Sequence, residues 1–122
     1  MSFGWQFYLN LAKILIDERK ANIEEAYLRT SISRSYYGVF CIARNILKGK
    51  GLKIPRTDLH KYVITQYKKS TNPIEEKIGE SLARLRKKRN KADYLDQPQI
   101  CENEARSAYL EAQKVLYNLK RI

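Results

Sequence analysis

Ile74-Glu75-Glu76-Lys77-Ile78-Gly79-Glu80-Ser81-Leu82-Ala83-Arg84-Leu85-Arg86-Lys87-Lys88-Arg89-Asn90-Lys91-Ala92-Asp93-Tyr94 is the stretch on which the reading of this chain turns. Ile74, Ile78, Leu82 and Leu85 recur at steps of three or four, which places them on one face of an α-helix. Asn72-Pro73 just ahead supplies a cap and a proline at the first helical position, and Glu75 an acid in the first turn. The next steps of the stripe fall on Arg89 and then Ala92, so an apolar face runs straight into a guanidinium. A charge entering a core is costly unless it is paired or put to use. Asn90, Asp93 and Tyr94 follow within about one turn, gathering polar groups at the end of an amphipathic helix.

Outward from this segment the helical period continues, and no segment sustains the alternation of a strand. A first helix is expected over residues 3–18, with Phe7, Tyr8, Leu11, Ala12 and Leu15 facing inward. A second starts at Asn22, whose side chain can cap it while Glu25 reaches back. Its core stripe is Ile32, Tyr36, Phe40, Ala43 and Leu47, and Gly49 and Gly51 stop it. Lys50 to Arg56 reads as a basic loop, after which Thr57 or Asp58 caps a short helix carrying Leu59, Tyr62, Val63 and Tyr67. Asp96-Gln97-Pro98 breaks the chain again before a last helix with Ala105, Ala108, Tyr109, Ala112, Val115, Leu116 and Leu119 on one side. The expected fold is all-α: an antiparallel up-and-down four-helix bundle with an additional short helix, five helices in a single domain over residues 1–122.

The chain is long enough for a real core, and 43% hydrophobic residues with three prolines argue against disorder. A net charge of +11 points to polyanionic partners, nucleic acid first and an anionic membrane surface second. The bland alternative is a solvated basic surface, or one covered by an acidic protein. Cys41 and Cys101 lie far apart and form no metal-ligand spacing; with a single histidine, no structural zinc site or other metal or cofactor is expected. Cys41, in an apolar segment, reads as a small core residue, and this cysteine usage fits a reducing cytoplasm. The start of the chain carries no signal-peptide pattern, and the apolar run from Phe7 to Ile16 is too short to span a bilayer. No basic amphipathic helix with an exposed apolar face is expected, which weighs against a membrane partner.

Residues 84–91 hold six cations and no acid. Cations near a helix C-terminus favour its dipole, but that effect fades within the last turn and does not reach Arg84 or Arg86. Phosphate contact accounts for the density better, since the guanidinium fork bonds two oxygens at once. Arg86, Arg89, Asn90 and Asp93 are expected on one face, with Arg84, Lys88 and Lys91 extending the basic surface. The second helix mixes Ser33, Arg34, Tyr36, Tyr37 and Arg44, whose tyrosines either stack bases and hydrogen-bond phosphate or sit in the core with satisfied hydroxyls. Arg34 and Tyr37 join the candidate nucleic-acid contacts. His60 is the only near-neutral acid or base, and the local sequence reads it as a surface or capping-turn residue.

Two of these stretches carry a resemblance. Ser31-Ile32-Ser33-Arg34-Ser35-Tyr36-Tyr37-Gly38-Val39-Phe40 resembles the second-helix signature of a prokaryotic branch of the HEPN family, and Arg86-Lys87-Lys88-Arg89-Asn90-Lys91-Ala92-Asp93-Tyr94 is similar to that branch's late motif, an arginine followed by Ala-Asp-Tyr. The resemblance implies a small helical bundle, commonly dimeric, in which the late motifs of two subunits line a shared cleft. It also implies RNA or a nucleotide as ligand, metal-independent endoribonuclease activity in many members, and a frequent role as a toxin beside a small nucleotidyltransferase antitoxin. The family's nuclease signature is an arginine, four to six residues, then a histidine. Arg89 matches the arginine and Asn90 the polar residue after it, but Tyr94 stands at the histidine position, and Asp96 where a further tyrosine often follows.

Cleavage through a ribose 2′-hydroxyl needs a base, donors for the crowded phosphate and an acid for the leaving oxygen. Under the resemblance, Arg89 binds the scissile phosphate, Asn90 orients it, and Tyr94, Asp93 or His60 handles protons. A phenol, with a reference pKa of about 10, is a poor base at neutral pH. The rival is an interaction module without chemistry, in which the basic helix meets an acidic partner protein and Arg89 pairs with a carboxylate such as Glu80 or Asp93.

Overall fold

The computed structural model describes residues 2–122, and among these the secondary structure is entirely helical. The helices are α1 (Phe7–Asp17), α2 (Glu24–Gly49), α3 (Leu59–Lys68), α4 (Pro73–Tyr94) and α5 (Glu102–Leu119), with a 3₁₀ turn at Ala21–Ile23 between the first two. Helix α2 is the central element: α1, α4 and α5 all pack along it, and α5 closes the bundle between α1 and α4. The short α3 lies chiefly on α4. All five contribute to one apolar cluster, from Leu9 and Ile16 through Ile32, Phe40, Tyr67 and Leu82 to Val115. This is the expected bundle with its additional helix.

Local chemistry explains most boundaries. Asn72 caps α4, its Oδ1 accepting from the backbone N–H groups of Ile74 and Glu75, with Pro73 behind it. Helix α2 ends at Gly49, and Gly51 takes φ +88, a conformation that suits a residue without Cβ. Ala105, Ala108, Ala112, Val115 and Leu119 form the buried face of α5 as their period requires. At the start of α5 the Cys101 backbone N–H donates to Glu104 in a capping box that the sequence pattern did not suggest.

Three expectations are corrected. Helix α1 starts at Phe7 rather than residue 3, because Phe3, Trp5 and Tyr8 form their own edge-on aromatic cluster. It is also rotated: Leu9, Ala12 and Ile16 are buried, while Phe7, Leu11 and Ile14 face outward. The segment is apolar on nearly every side, so its own period cannot choose a face. Gly38 of α2 chooses it, because a Cβ there would stand 3.1 Å from Leu9 and 3.2 Å from Tyr8. Asn22 does not cap α2, which begins after the 3₁₀ turn with Ile23 at its N-cap. Glu25 is drawn away to Arg29 (2.9 Å) and the backbone N–H of Ile100 (3.0 Å). Asp58 precedes α3 in a left-handed conformation, φ 54, and makes no side-chain cap.

Candidate functional site

Arg89 is where the stripe predicted, and it is 6% exposed within a single chain. Burial of the guanidinium does not need a second subunit. Aromatic faces receive it: its central carbon lies 5.4 Å from the ring centre of Tyr36, 5.3 Å from Tyr37 and 5.7 Å from Tyr94, within reach of cation–π attraction. Nη1 donates to the Tyr37 hydroxyl at 3.0 Å, and the nearest carboxylate oxygen, on Asp93, is 3.9 Å away. Nε is buried without a hydrogen-bond partner. The fork therefore holds donor capacity that the chain itself leaves unfilled.

Two more arginines join it. Arg86, one turn earlier on α4, has a buried Nε that is likewise unpartnered. Arg34 of α2 lies over the rings of Tyr8 (4.6 Å) and Tyr37 (5.5 Å), so two guanidinium groups flank Tyr37. A thin polar chain links them: Arg34 Nη2 donates to Ser33 Oγ at 3.3 Å, and Ser33 Oγ donates to Asp93 Oδ2 at 3.3 Å. Arg89 directly, and Arg34 through Ser33, thus share the carboxylate of Asp93.

His60, which the local sequence suggested was a surface residue, enters this cluster from α3. Its ring stacks on Phe40 at 4.3 Å with planes 17° apart, and Nδ1 sits 2.6 Å from the Tyr36 hydroxyl. The phenol donates to Nδ1 in one imidazole tautomer and accepts from it in the other. Burial, then Arg89, then Arg86 pull the imidazole down to about 4. Burial pushes the Tyr36 phenol well above its ordinary range despite those arginines. Both groups are uncharged at neutral pH. The expected α3 stripe used Leu59, Tyr62, Val63 and Tyr67, whereas the buried residues are Val63, Ile64 and Tyr67. Rotating the stripe by one residue puts His60 at its head, three and four residues before Val63 and Ile64. That was the signal for it.

The remaining candidates divide along the two sides of α4. Arg84, Lys88 and Lys91 turn toward α5, where Arg84 pairs with Glu111 at 2.7 Å, Lys88 reaches the same carboxylate at 3.4 Å, and Lys91 pairs with Glu104 at 2.7 Å. Asn90 lines the shallow groove on that side with Lys87, Lys91 and Leu95. The one-face grouping of Asn90 with Arg86, Arg89 and Asp93 is therefore split. Tyr94, 71% exposed, touches both surfaces, bordering the groove while its ring lies against Arg89. Glu80, offered as a partner for Arg89, is exposed.

The end of α4 is held by Arg29 of α2. Its Nη1 donates to the carbonyls of Ala92 (2.9 Å) and Leu95 (2.7 Å) and reaches that of Lys91 (3.3 Å), satisfying groups a helix C-terminus leaves open. Glu25 fixes Arg29 and, through the Ile100 N–H, the start of the approach to α5. The segment carrying Asp93 and Tyr94 is thereby tied to α2.

The family model for the HEPN domain matches residues 5–122, nearly the whole chain. No curated protein and no solved structure matches it. The chain belongs to the HEPN domain family.

Proposed function

We propose that this HEPN-domain protein binds RNA, or the phosphate of a nucleotide, at the Arg89 cluster, as the toxin-like member of a pair with a small nucleotidyltransferase. One observation carries the phosphate reading: the guanidinium of Arg89 is buried with Asp93, at 3.9 Å, as its nearest carboxylate, and the Nε atoms of Arg86 and Arg89 are buried and unpartnered. Such cations are costly to bury alone, and an oxyanion offers them the charge-assisted bonds they lack. Tyr94, exposed beside Arg89, offers a face on which a base can stack. Lys87 and Asn90 extend the surface for neighbouring phosphates along the α4 groove.

The pairing with a nucleotidyltransferase rests on the likeness of the two motifs to a prokaryotic branch of a family in which many members are toxins beside such a partner; co-expression with such a partner and recovery of a stoichiometric complex tests it. Self-association is supported by apolar side chains that one chain leaves uncovered, Tyr94 and Leu95 at the site and Phe7, Leu11 and Ile14 on α1. RNA cleavage is a second reading: His60 brings an imidazole into the Arg89 cluster, but at about 4 it is a weak base until an anion offsets the neighbouring guanidinium charges.

The test is an RNA-binding isotherm in a salt series, on the parent chain and Arg89→Ala, with cleavage read on the same samples. The parent should bind at low salt and lose affinity steeply as salt rises. Arg89→Ala should bind at least about tenfold more weakly, a loss of about 1.4 kcal/mol. Equal affinity in the two proteins would overturn the assignment of Arg89, and absence of RNA binding at low salt would favour docking on an acidic protein.

A further inference from the structure

We infer that His60 is the proton-binding group linked to this site: an oxyanion seated against Arg89 and Arg86 brings with it a proton that the imidazole takes up. The inference rests on the phosphate reading above and adds to it a group from a different helix.

Geometry places the imidazole in the same aromatic box as the guanidinium. Tyr36 and Tyr37 of α2 receive Arg89 at 5.4 and 5.3 Å, and the same two rings stand 5.6 and 5.8 Å from the His60 ring. Phe40 closes the box beneath the imidazole, and the Tyr36 hydroxyl holds Nδ1. His60 is therefore fixed in orientation, and its neighbours from α2 are two phenol rings and a hydrocarbon ring. The charges that act on it come from α4, Arg89 and Arg86, both positive. The one carboxylate of the cluster, Asp93, is placed on Arg89 and Ser33.

In the free protein burial first, and then repulsion from Arg89 and Arg86, keep the imidazole at about 4. An anion held by Arg89 and Arg86 offsets that repulsion, so protonation becomes easier when the site is filled. Linkage makes the effect reciprocal: if the anion raises proton affinity, the proton raises anion affinity by the same factor. Between the free and the bound midpoints the site then carries a transferable proton when occupied and none when vacant. A solvated surface histidine would show no such dependence.

The chain has one histidine, so its ring protons report this site without assignment. Proton NMR of the full chain across pH, alone and saturated with a short oligouridylate at low salt, tests the inference. Phosphodiesters do not titrate in this range, so proton uptake falls on the protein. The free chain should titrate at about 4, and the bound chain at least about one unit higher, with affinity increasing as pH falls from 7 to 5. Arg89→Met should raise the midpoint of the free chain and remove the effect of the oligonucleotide. His60→Gln should flatten the pH dependence of affinity. Binding with an unmoved His60 midpoint would overturn this inference and leave the phosphate reading standing. No binding of the oligouridylate would overturn both.

Discussion

Arg89 holds a position where stability and function oppose one another. Its guanidinium is buried against three aromatic rings with a carboxylate only at 3.9 Å, so desolvation is poorly offset within the chain. Replacement by an apolar side chain of similar length removes that cost. Arg89→Met is expected to leave unfolding stability unchanged or raise it by about 1 kcal/mol while weakening RNA binding. Urea unfolding beside the binding isotherm checks this, and a loss above about 2 kcal/mol would show Arg89 to be a structural residue. His60 gives a pH signature. Its folded value of about 4 lies below the ordinary 6.5, so between those limits the unfolded chain binds a proton that the folded chain does not. Stability should therefore fall as pH drops from about 6.5 to about 4, by on the order of 2 kcal/mol after allowance for partial exposure. His60→Gln should abolish that slope, whereas acid unfolding below it, driven by carboxylates such as Glu25 and Glu104 held below their ordinary values, should persist. Arg89 was legible in the sequence because a charge interrupts a regular stripe. His60 was not, because its partners Tyr36 and Phe40 lie at least twenty residues away and its own helix is too short to fix a face.

Helix α4 carries the site and is positioned from both ends. At its first turns Gly79 lies against α3 so closely that a Cβ would stand 2.5 Å from the Lys68 backbone nitrogen. Gly79→Ala must push α3 away and should cost about 1–3 kcal/mol in thermal or urea unfolding, although alanine is the better helix former. An unchanged stability would mean that α3 is not firmly seated. At the far end, Arg29→Ala removes the donor to the carbonyls of Ala92 and Leu95. It should cost about 1–3 kcal/mol and weaken RNA binding through Asp93 and Tyr94, with amide exchange faster over the last turn of α4. The start of α4 could be read in advance because cap, proline and stripe agree, and the buried face of α5 because its stripe is regular. Helix α1 could not, since apolar residues surround it and a glycine on another helix decides which of them turn inward. The same reasoning explains Asn22, whose capping partner Glu25 has a stronger claim from Arg29 and Ile100.

For the molecule as a whole, the charge of +11 is unevenly engaged. Arg84, Lys88 and Lys91 are met by Glu111 and Glu104, whereas the arginines around Tyr37 face one carboxylate. Composition raised the expectation of a polyanionic partner but could not show this division, which depends on how α4 and α5 face each other. The apolar residues exposed on α1 and around Tyr94 lead us to expect a homodimer; sedimentation should show a dimer that Phe7→Glu or Leu95→Glu weakens, and a monomer at high concentration would remove that part of the proposal. No helix among the described residues is long and apolar enough to cross a membrane. The most direct measurement of the central claim is the salt dependence of RNA affinity for the parent chain and for Arg89→Met, whose fold is expected to be intact. A steep decline with salt is expected in the parent, with weaker binding and a slope smaller by about one phosphate contact in the variant. Matching affinities and slopes in the two proteins would contradict it.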